Sequence, residues 1–190
     1  MSNINEKKGK IVIVSGPSGV GKSTICKKIV EMIDEASLSV SVTTRPKSDT
    51  ETDGRDYWFV SKDEFEKRIE NGLLLEYANV FSNMYGTPKD KVDEALEAGK
   101  IVILEIDIQG GRQVKEVYPD AITIFILPPS DKVLSERIEN RGRDSSETIT
   151  KRLDAANAEI TSAKQYYEHM VINKDLQEAI DRCVQIIQES

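Results

Sequence analysis

Residues 11–15 (IVIVS) are an apolar, β-branched run that ends directly on Gly16-Pro17-Ser18-Gly19-Val20-Gly21-Lys22-Ser23 and is followed by a helical pattern over 22–33. No other feature restricts the fold of this chain as tightly. The octapeptide fits G-x-x-x-x-G-K-[ST] and continues into Thr24. Between a buried strand and a helix start, such a loop aims successive backbone N–H groups at one point, where they and the helix dipole favour an anion. Glycine at 16, 19 and 21 admits backbone angles and a phosphate approach that a Cβ would obstruct. Lys22 can reach β and γ phosphates, and the Ser23 hydroxyl is placed for Mg²⁺. Residues 16–24 are therefore predicted to bind a nucleoside triphosphate.

The alternation of strand and helix signals continues along the chain. Runs at 101–106 (IVILEI) and 122–127 (ITIFIL) are strand-length and β-branched, and a weaker candidate covers 170–172. With helical patterns between them, they predict an α/β fold: a largely parallel sheet flanked by helices. Ser61 with Glu64 reads as a capping box opening a helix over 62–71, closed by Gly72. Thr87 followed by Pro88 reads as the N-cap and first turn of a helix running to Gly99. Ile149, Leu153, Ala156, Ile160, Ala163 and Tyr167 form one apolar stripe, and Leu176, Ile180, Cys183 and Ile187 another, both core-facing.

Two polar segments interrupt this order. Residues 43–56 (TTRPKSDTETDGRD) lead into aromatic strands at 57–60 and 73–81, and residues 139–147 (ENRGRDSSE) carry arginines and Gly142 between two helical patterns. The second segment has the composition of a mobile lid. The expected organisation is one domain, with a core over about 9–40, 88–130 and 150–190, a small mixed α/β insert over about 41–87, and a lid over about 131–149.

Composition narrows the function. The 190 residues include 26 Lys plus Arg against 33 Asp plus Glu, a net charge of −7, the wrong sign for a protein held on a nucleic-acid polymer by counterion release. Cys26 and Cys183, each in a helical pattern, offer neither a disulfide framework nor a C-x-x-C site and are expected as small buried hydrophobes. The single histidine, His169, excludes a His-rich metal site. The first residues, MSNINEKKGK, have no apolar core of a signal peptide and no run is long enough to span a bilayer, so no membrane association and a cytoplasmic address are expected, as monomer or homodimer. A phosphate loop alone does not separate a GTPase, a motor and a small-molecule kinase. The absence of an N-K-x-D guanine reader, the short chain, the polar insert and the arginine-bearing lid favour a kinase with a small acceptor.

The chain resembles a guanylate kinase over nearly its whole length, from residue 11 to about 187. The matching pieces are GPSGVGKST at 16–24, SVTTR at 41–45, GRDYWFV at 54–60, Glu76, MYGTP at 84–88, LEIDIQG at 104–110, LPPS at 127–130, and Arg137, Arg141 and Arg152. The resemblance implies Mg²⁺-dependent transfer of the γ-phosphoryl of ATP to GMP, and to dGMP, giving ADP and GDP in purine nucleotide metabolism. It also implies that Glu76 reads guanine, assisted by Ser41 and Thr87. The chemistry is sound, because guanine presents two adjacent N–H donors that one carboxylate accepts together, whereas adenine presents a lone pair there. An unpaired buried polar group of that kind discriminates by roughly 10⁴ or more.

By the same resemblance Arg45, Tyr57 and Tyr85 hold the GMP phosphate, while Lys22 with Arg137, Arg141 and Arg152 gathers round the transferring group as the lid shuts. Glu105 and Asp107 end an apolar strand and are counted among the GMP-binding residues. A carboxylate there orients the Mg²⁺ shell, and Asp107, directly or through water, is put beside Ser23 as the metal residue, although alternation sets both side chains on one face and does not choose between them. Asn173 and the segment around Pro128 are candidates for the adenine pocket. Arg112 is expected to pair with a neighbouring acid and Arg143 to be a solvated lid charge. One departure stands out: Ser48 occupies the place of a second phosphate-binding arginine in the family, with Lys47 or Arg55 as possible substitutes. Two rival functions remain, a non-catalytic phosphopeptide-binding module of the same fold and a kinase with a different acceptor. The intact Lys22 and Ser23 argue against the first, and Glu76 against the second.

Overall fold

In the computed structural model the described residues are 9–80, 82–139 and 146–190, without the side chains of 138, 139 and 146–152. Ile11, Val12, Ile13 and Val14 are all buried, as a strand covered on both faces requires. They belong to β1 (Lys10–Ser15), which lies at the middle of a sheet of five parallel strands. Its order is β2 (Ala36–Leu38), β7 (Ile101–Glu105), β1, β8 (Ile122–Leu127) and β9 (His169–Ile172).

Side-chain alternation divides the core into two layers. Val12, Val14, Ile124 and Ile126 pack with Ile25, Cys26 and Ile29 of α1 (Lys22–Met32) and with Ile180, Cys183 and Ile187 of α7 (Leu176–Glu189). Ile11, Ile13, Leu104 and Phe125 face the other way, onto Val92 of α3 (Lys89–Glu97), Val114 of α4 (Ile108–Val117), and Ala163 and Tyr167 at the end of α6 (Ser146–Tyr166). Both cysteines are free and buried, as expected. The architecture is the predicted α/β one.

The insert forms a second sheet of four strands in the order β4 (Trp58–Phe59), β3 (Val42–Thr43), β6 (Asn83–Pro88) and β5 (Leu74–Val80), covered by α2 (Lys62–Glu70) through buried Phe65. Ser61 caps α2 by accepting the Glu64 N–H at 3.1 Å, while the Glu64 carboxylate accepts from Arg68 at 3.2 Å rather than closing a reciprocal box. A β-bulge between Leu74 and Glu76 resets the alternation of β5, and from there Glu76, Ala78 and Val80 share one face.

Thr87 is not a helix N-cap. It is the penultimate residue of β6, Pro88 caps α3, and the hydroxyl is engaged across the strands instead. The reason is register: β5 and β6 pair antiparallel with Thr87 directly opposite Glu76. The sequence also concealed α4. Gly110 and Gly111 in its first turns are poor helix formers, but Asp107 caps it by accepting the Gly110 N–H at 2.8 Å. The strand expected over 57–60 contracts to two residues, since Tyr57 is held by an isolated bridge to Asp53.

Candidate active site

The loop between β1 and α1 lies where the sheet order turns, with β7 on one side of β1 and β8 on the other, the place at which open parallel sheets hold ligands. Gly16, Gly19 and Gly21 have φ of 152°, 87° and 106°, so the loop follows a path that side chains with a Cβ adopt rarely. At Gly16 an added Cβ would also stand 2.5 Å from the Ile126 carbonyl oxygen. Gly21 starts α1 without a side-chain cap, leaving the helix N-terminus to outside acceptors. Lys22 Nζ donates to the Gly16 and Pro17 carbonyls at 2.5 and 3.2 Å, which keeps the ammonium folded over the cradle.

The back of the loop is braced. Asn173, 4% exposed, donates its amide to the Val20 carbonyl at 2.8 Å. Arg137 on α5 (Asp131–Glu139) donates to the same carbonyl and to that of Asn173, each at 3.3 Å. Asn173 thus supports the loop from behind.

Opposite the loop, Glu76 is 3% exposed, and its Oε1 accepts the Thr87 hydroxyl at 2.6 Å. Burial pushes its carboxyl up to about 7, against the opposing bond from Thr87 and helped by the nearby charge of Asp107. Ser41, Arg45, Tyr57 and Tyr85 line the same wall. The two phenol rings meet edge to face at 5.9 Å, and the Arg45 guanidinium lies 5.3 Å from the Tyr57 centroid. Burial, reinforced by Glu105, pushes the Tyr57 phenol up to about 12, so it keeps its proton as a donor.

Between the two walls stand Glu105 and Asp107, and here geometry separates a pair that alternation could not. Glu105 Oε1 accepts the Ser23 hydroxyl at 2.6 Å. Asp107 is turned to its own helix: Oδ1 accepts from Gly110 N at 2.8 Å and Oδ2 from Gln109 Nε2 at 3.0 Å. One cavity of about 460 Å³ is lined at once by the phosphate loop, by Glu105 and Asp107, and by Glu76 with the Arg45–Tyr57–Tyr85 wall. Most of the predicted residues thus line a single chamber; Thr87 is joined to it through Glu76, while Arg137 and Asn173 stand behind the loop and do not line it.

The family model for guanylate kinase matches residues 8–190 of the chain. The guanylate kinase of Carboxydothermus hydrogenoformans is 48% identical over 174 residues, 92% of this chain and 85% of that one. The guanylate kinase of Clostridioides difficile is 48% identical over 170 residues, 90% of this chain and 82% of its own length. The crystal structure of guanylate kinase from Anaplasma phagocytophilum superposes with a TM-score of 0.81 at 33% identity, over 96% of this chain and 86% of that one.

This chain belongs to the guanylate kinase family.

Within that guanylate kinase frame, two residues at the site had escaped the sequence reasoning. Gly110 sits against Glu76, where an added Cβ would overlap Oε2. Glu159, on α6, lines the chamber, and burial pushes its carboxyl up to about 7, lowered in part by Lys22 and raised further by Asp107. The adjacent glycines inside LEIDIQGG signal the first; no local pattern marks the second, which rides a polar turn of a long helix. Lys47 Nζ donates to the Glu51 carbonyl at 3.1 Å and Arg55 pairs with Asp56 at 2.8 Å, so both candidate substitutes for the missing arginine are engaged within their own loop. Arg112, expected beside an acid, lies 3.9 Å over the Tyr166 ring and donates to the Ser162 hydroxyl. Of the lid arginines, Arg141 and Arg143 lie outside the described residues, and the Arg152 side chain is likewise outside them.

Proposed function

We propose that the chain transfers the γ-phosphoryl group of ATP to GMP, giving ADP and GDP. The observation that carries this reading is the shared chamber: a Lys22–Ser23 phosphate loop faces a buried carboxylate, Glu76, paired to Thr87. A phosphopeptide module has no need of the first, and a kinase for a sugar phosphate has no need of the second.

In this proposal Glu76, with Thr87 and Ser41, takes the Watson–Crick edge of guanine. The ionised carboxylate that burial disfavours is restored by two guanine N–H donors, so base binding and ionisation reinforce each other. Arg45, Tyr57 and Tyr85 hold the acceptor phosphate. Its second pKa is near about 6, so at neutral pH a phosphate oxygen is already a dianionic nucleophile and no general base is required. That oxygen forms the new bond to the γ phosphorus as the bridging oxygen leaves with ADP. Lys22 exchanges its two loop carbonyls for phosphate oxygens, and Arg137 stands at the loop to neutralise developing charge.

Ser23 and Glu105 supply hard oxygen donors 2.6 Å apart at the mouth of the loop, a donor set suited to Mg²⁺. The ion, when bound, neutralises the phosphate oxygens. We assign Glu105 to orient its shell, and Asp107 to fix the start of α4. Residues 131–149 are proposed as the lid and 41–87 as the GMP lobe. No helix among the described residues is long and apolar enough to cross a membrane; two free, buried cysteines accord with the reducing cytoplasm proposed as its location.

The test is a coupled ADP-release assay across the four nucleoside monophosphates and their deoxy forms. Turnover confined to GMP and dGMP is expected. Comparable turnover of AMP or UMP would overturn the guanine assignment.

A further inference from the structure

Arg45 is the one cation of the 45–57 loop that lines the chamber among the described residues, and its guanidinium is held by a second residue with no assigned part in the reaction. Glu51 takes it end-on: NH1 donates to Oε2 at 3.0 Å and NH2 to Oε1 at 2.6 Å. The remaining NH1 hydrogen goes to the Pro46 carbonyl at 3.0 Å. Glu51 is itself fixed, because Oε2 also accepts the Ser48 N–H at 2.9 Å and the Ser48 hydroxyl at 2.8 Å. A guanidinium has five N–H donors in a rigid plane. With the end-on edge and the outer NH1 hydrogen engaged, the donors left for a phosphate, and for the neighbouring Tyr85 side chain that also bears on this guanidinium, are Nε–H and the second NH2 hydrogen. These two are parallel and form the side-on edge, which matches two oxygens of a phosphate.

We propose that Glu51 is a positioning residue for the acceptor phosphate: braced by Ser48, it grips the end-on edge of Arg45 and thereby presents the side-on edge to the substrate phosphate. This deepens the GMP kinase reading and rests on it. Ser48 then has a physical role of its own. Its hydroxyl adds a second bond to Glu51 beside the one that its backbone N–H makes, so a single arginine is pre-oriented where a freely rotating one would lose side-chain entropy on binding.

The same geometry argues against Glu51 as a stand-in for the phosphate that the substrate must displace. It is bound through the end-on edge and not through the side-on edge left for a phosphate, and the charge-assisted pair, in which the Arg45 hydrogen bonds hold the Glu51 carboxyl down at about 2, stays intact at any pH at which the enzyme would work. Arg45 and Glu51 are also only partly exposed, with side-chain exposures of 28% and 20%, so the brace is not a loose surface contact.

The experiment is Glu51→Gln in the full chain, with steady-state kinetics in both substrates and calorimetric binding of GMP and of guanosine. The expected result is a rise of about tenfold in KM for GMP, with KM for ATP and the guanosine Kd within about twofold of wild type. Arg45→Ala combined with Glu51→Gln should be no worse than Arg45→Ala alone, because the brace acts only through Arg45. Glu51→Asp should recover part of the loss. A GMP affinity equal to or tighter than wild type would overturn the proposal, and so would a parallel loss of guanosine binding, which would mark a general collapse of the lobe. Ser48→Ala, which leaves the ion pair and removes one supporting donor, gives an independent arm with about a threefold rise in KM for GMP expected; no rise would count against the brace. Failure of the GMP kinase reading would appear separately, as absent GMP turnover in the unaltered protein.

Discussion

Gly110 packs so closely against Glu76 that a Cβ at position 110 would overlap the Glu76 Oε2 oxygen. The glycine thereby sets where the carboxylate stands, and Thr87 holds the other oxygen. Gly110→Ala should leave α4 intact, since alanine is the better helix former by about 1 kcal/mol, but push the carboxylate off its position. The expected outcome is a rise in KM for GMP of about 10- to 100-fold, with KM for ATP little changed and thermal unfolding within a few degrees of wild type. Steady-state kinetics in each substrate beside a melting curve checks it; an unchanged KM for GMP would refute the coupling.

Burial of Glu76 makes a second prediction, about stability. Its carboxyl has an ordinary value of 4.5 and is pushed up to about 7 in the fold. Between those values the folded state binds the proton more tightly than the unfolded one, so raising the pH through this window removes stability, and the full loss stands above it. Glu76→Gln has no such titration. The variant should unfold at a higher temperature than wild type at pH 8, with the gap closing towards pH 4, while its use of GMP falls steeply. Each kcal/mol recovered is worth about 2–4 °C in a chain of this size. A gap independent of pH would contradict the assignment.

How much of this was legible beforehand follows from the kind of signal each residue leaves. The central strands and the phosphate loop declare themselves locally, through β-branched runs at 11–15 and 122–127 and glycines whose φ values reach 87–152°. Glu76 was found through family resemblance; by pattern alone it is one charge in LLLEYANVF, and only a β-bulge turns it inward. The function of Thr87 depends on strand register, which pairs it with Glu76 eleven positions away, and a Thr-Pro dipeptide gives a misleading capping signal. What sets Asp107 apart from Glu105 is the cap on α4, a helix that two glycines disguise in the sequence. Glu51 was passed over in a polar loop because nothing local distinguishes a brace from a solvated charge.

The division of labour proposed for Glu105 and Asp107 makes a third prediction. Chelation of divalent ions should abolish turnover. Glu105→Gln, facing Ser23, should raise the Mg²⁺ concentration for half-maximal rate by about tenfold with little change in melting temperature. Asp107→Asn keeps an acceptable N-cap and should be mild, whereas Asp107→Ala removes the cap on α4 and should cost about 0.5–2 kcal/mol of stability. Denaturant unfolding and Mg²⁺ titration of the three variants check this. If Asp107→Asn shifts the Mg²⁺ requirement and Glu105→Gln does not, the roles are reversed.

Lys22 is the last case, because its contacts separate catalysis from folding. Its ammonium is held by the Gly16 and Pro17 carbonyls at 2.5 and 3.2 Å, backbone acceptors at the rim of the cradle that water can satisfy if the side chain is removed. The loop itself is kept in shape by other means: the glycine dihedrals, the Asn173 amide on the Val20 carbonyl at 2.8 Å, and Arg137 on the same oxygen. Lys22→Ala should therefore melt within a few degrees of wild type. In the proposed reaction its charge meets the transferring group, where charge develops only as the phosphoryl moves, so its loss should fall on kcat more than on KM. A drop on the order of 10²–10³ in kcat is expected, the scale of losing one preorganised charge-stabilising donor. Single-turnover kinetics at saturating ATP and GMP measures this, and a kcat within a few-fold of wild type would show that the phosphate loop is not where the reaction is driven.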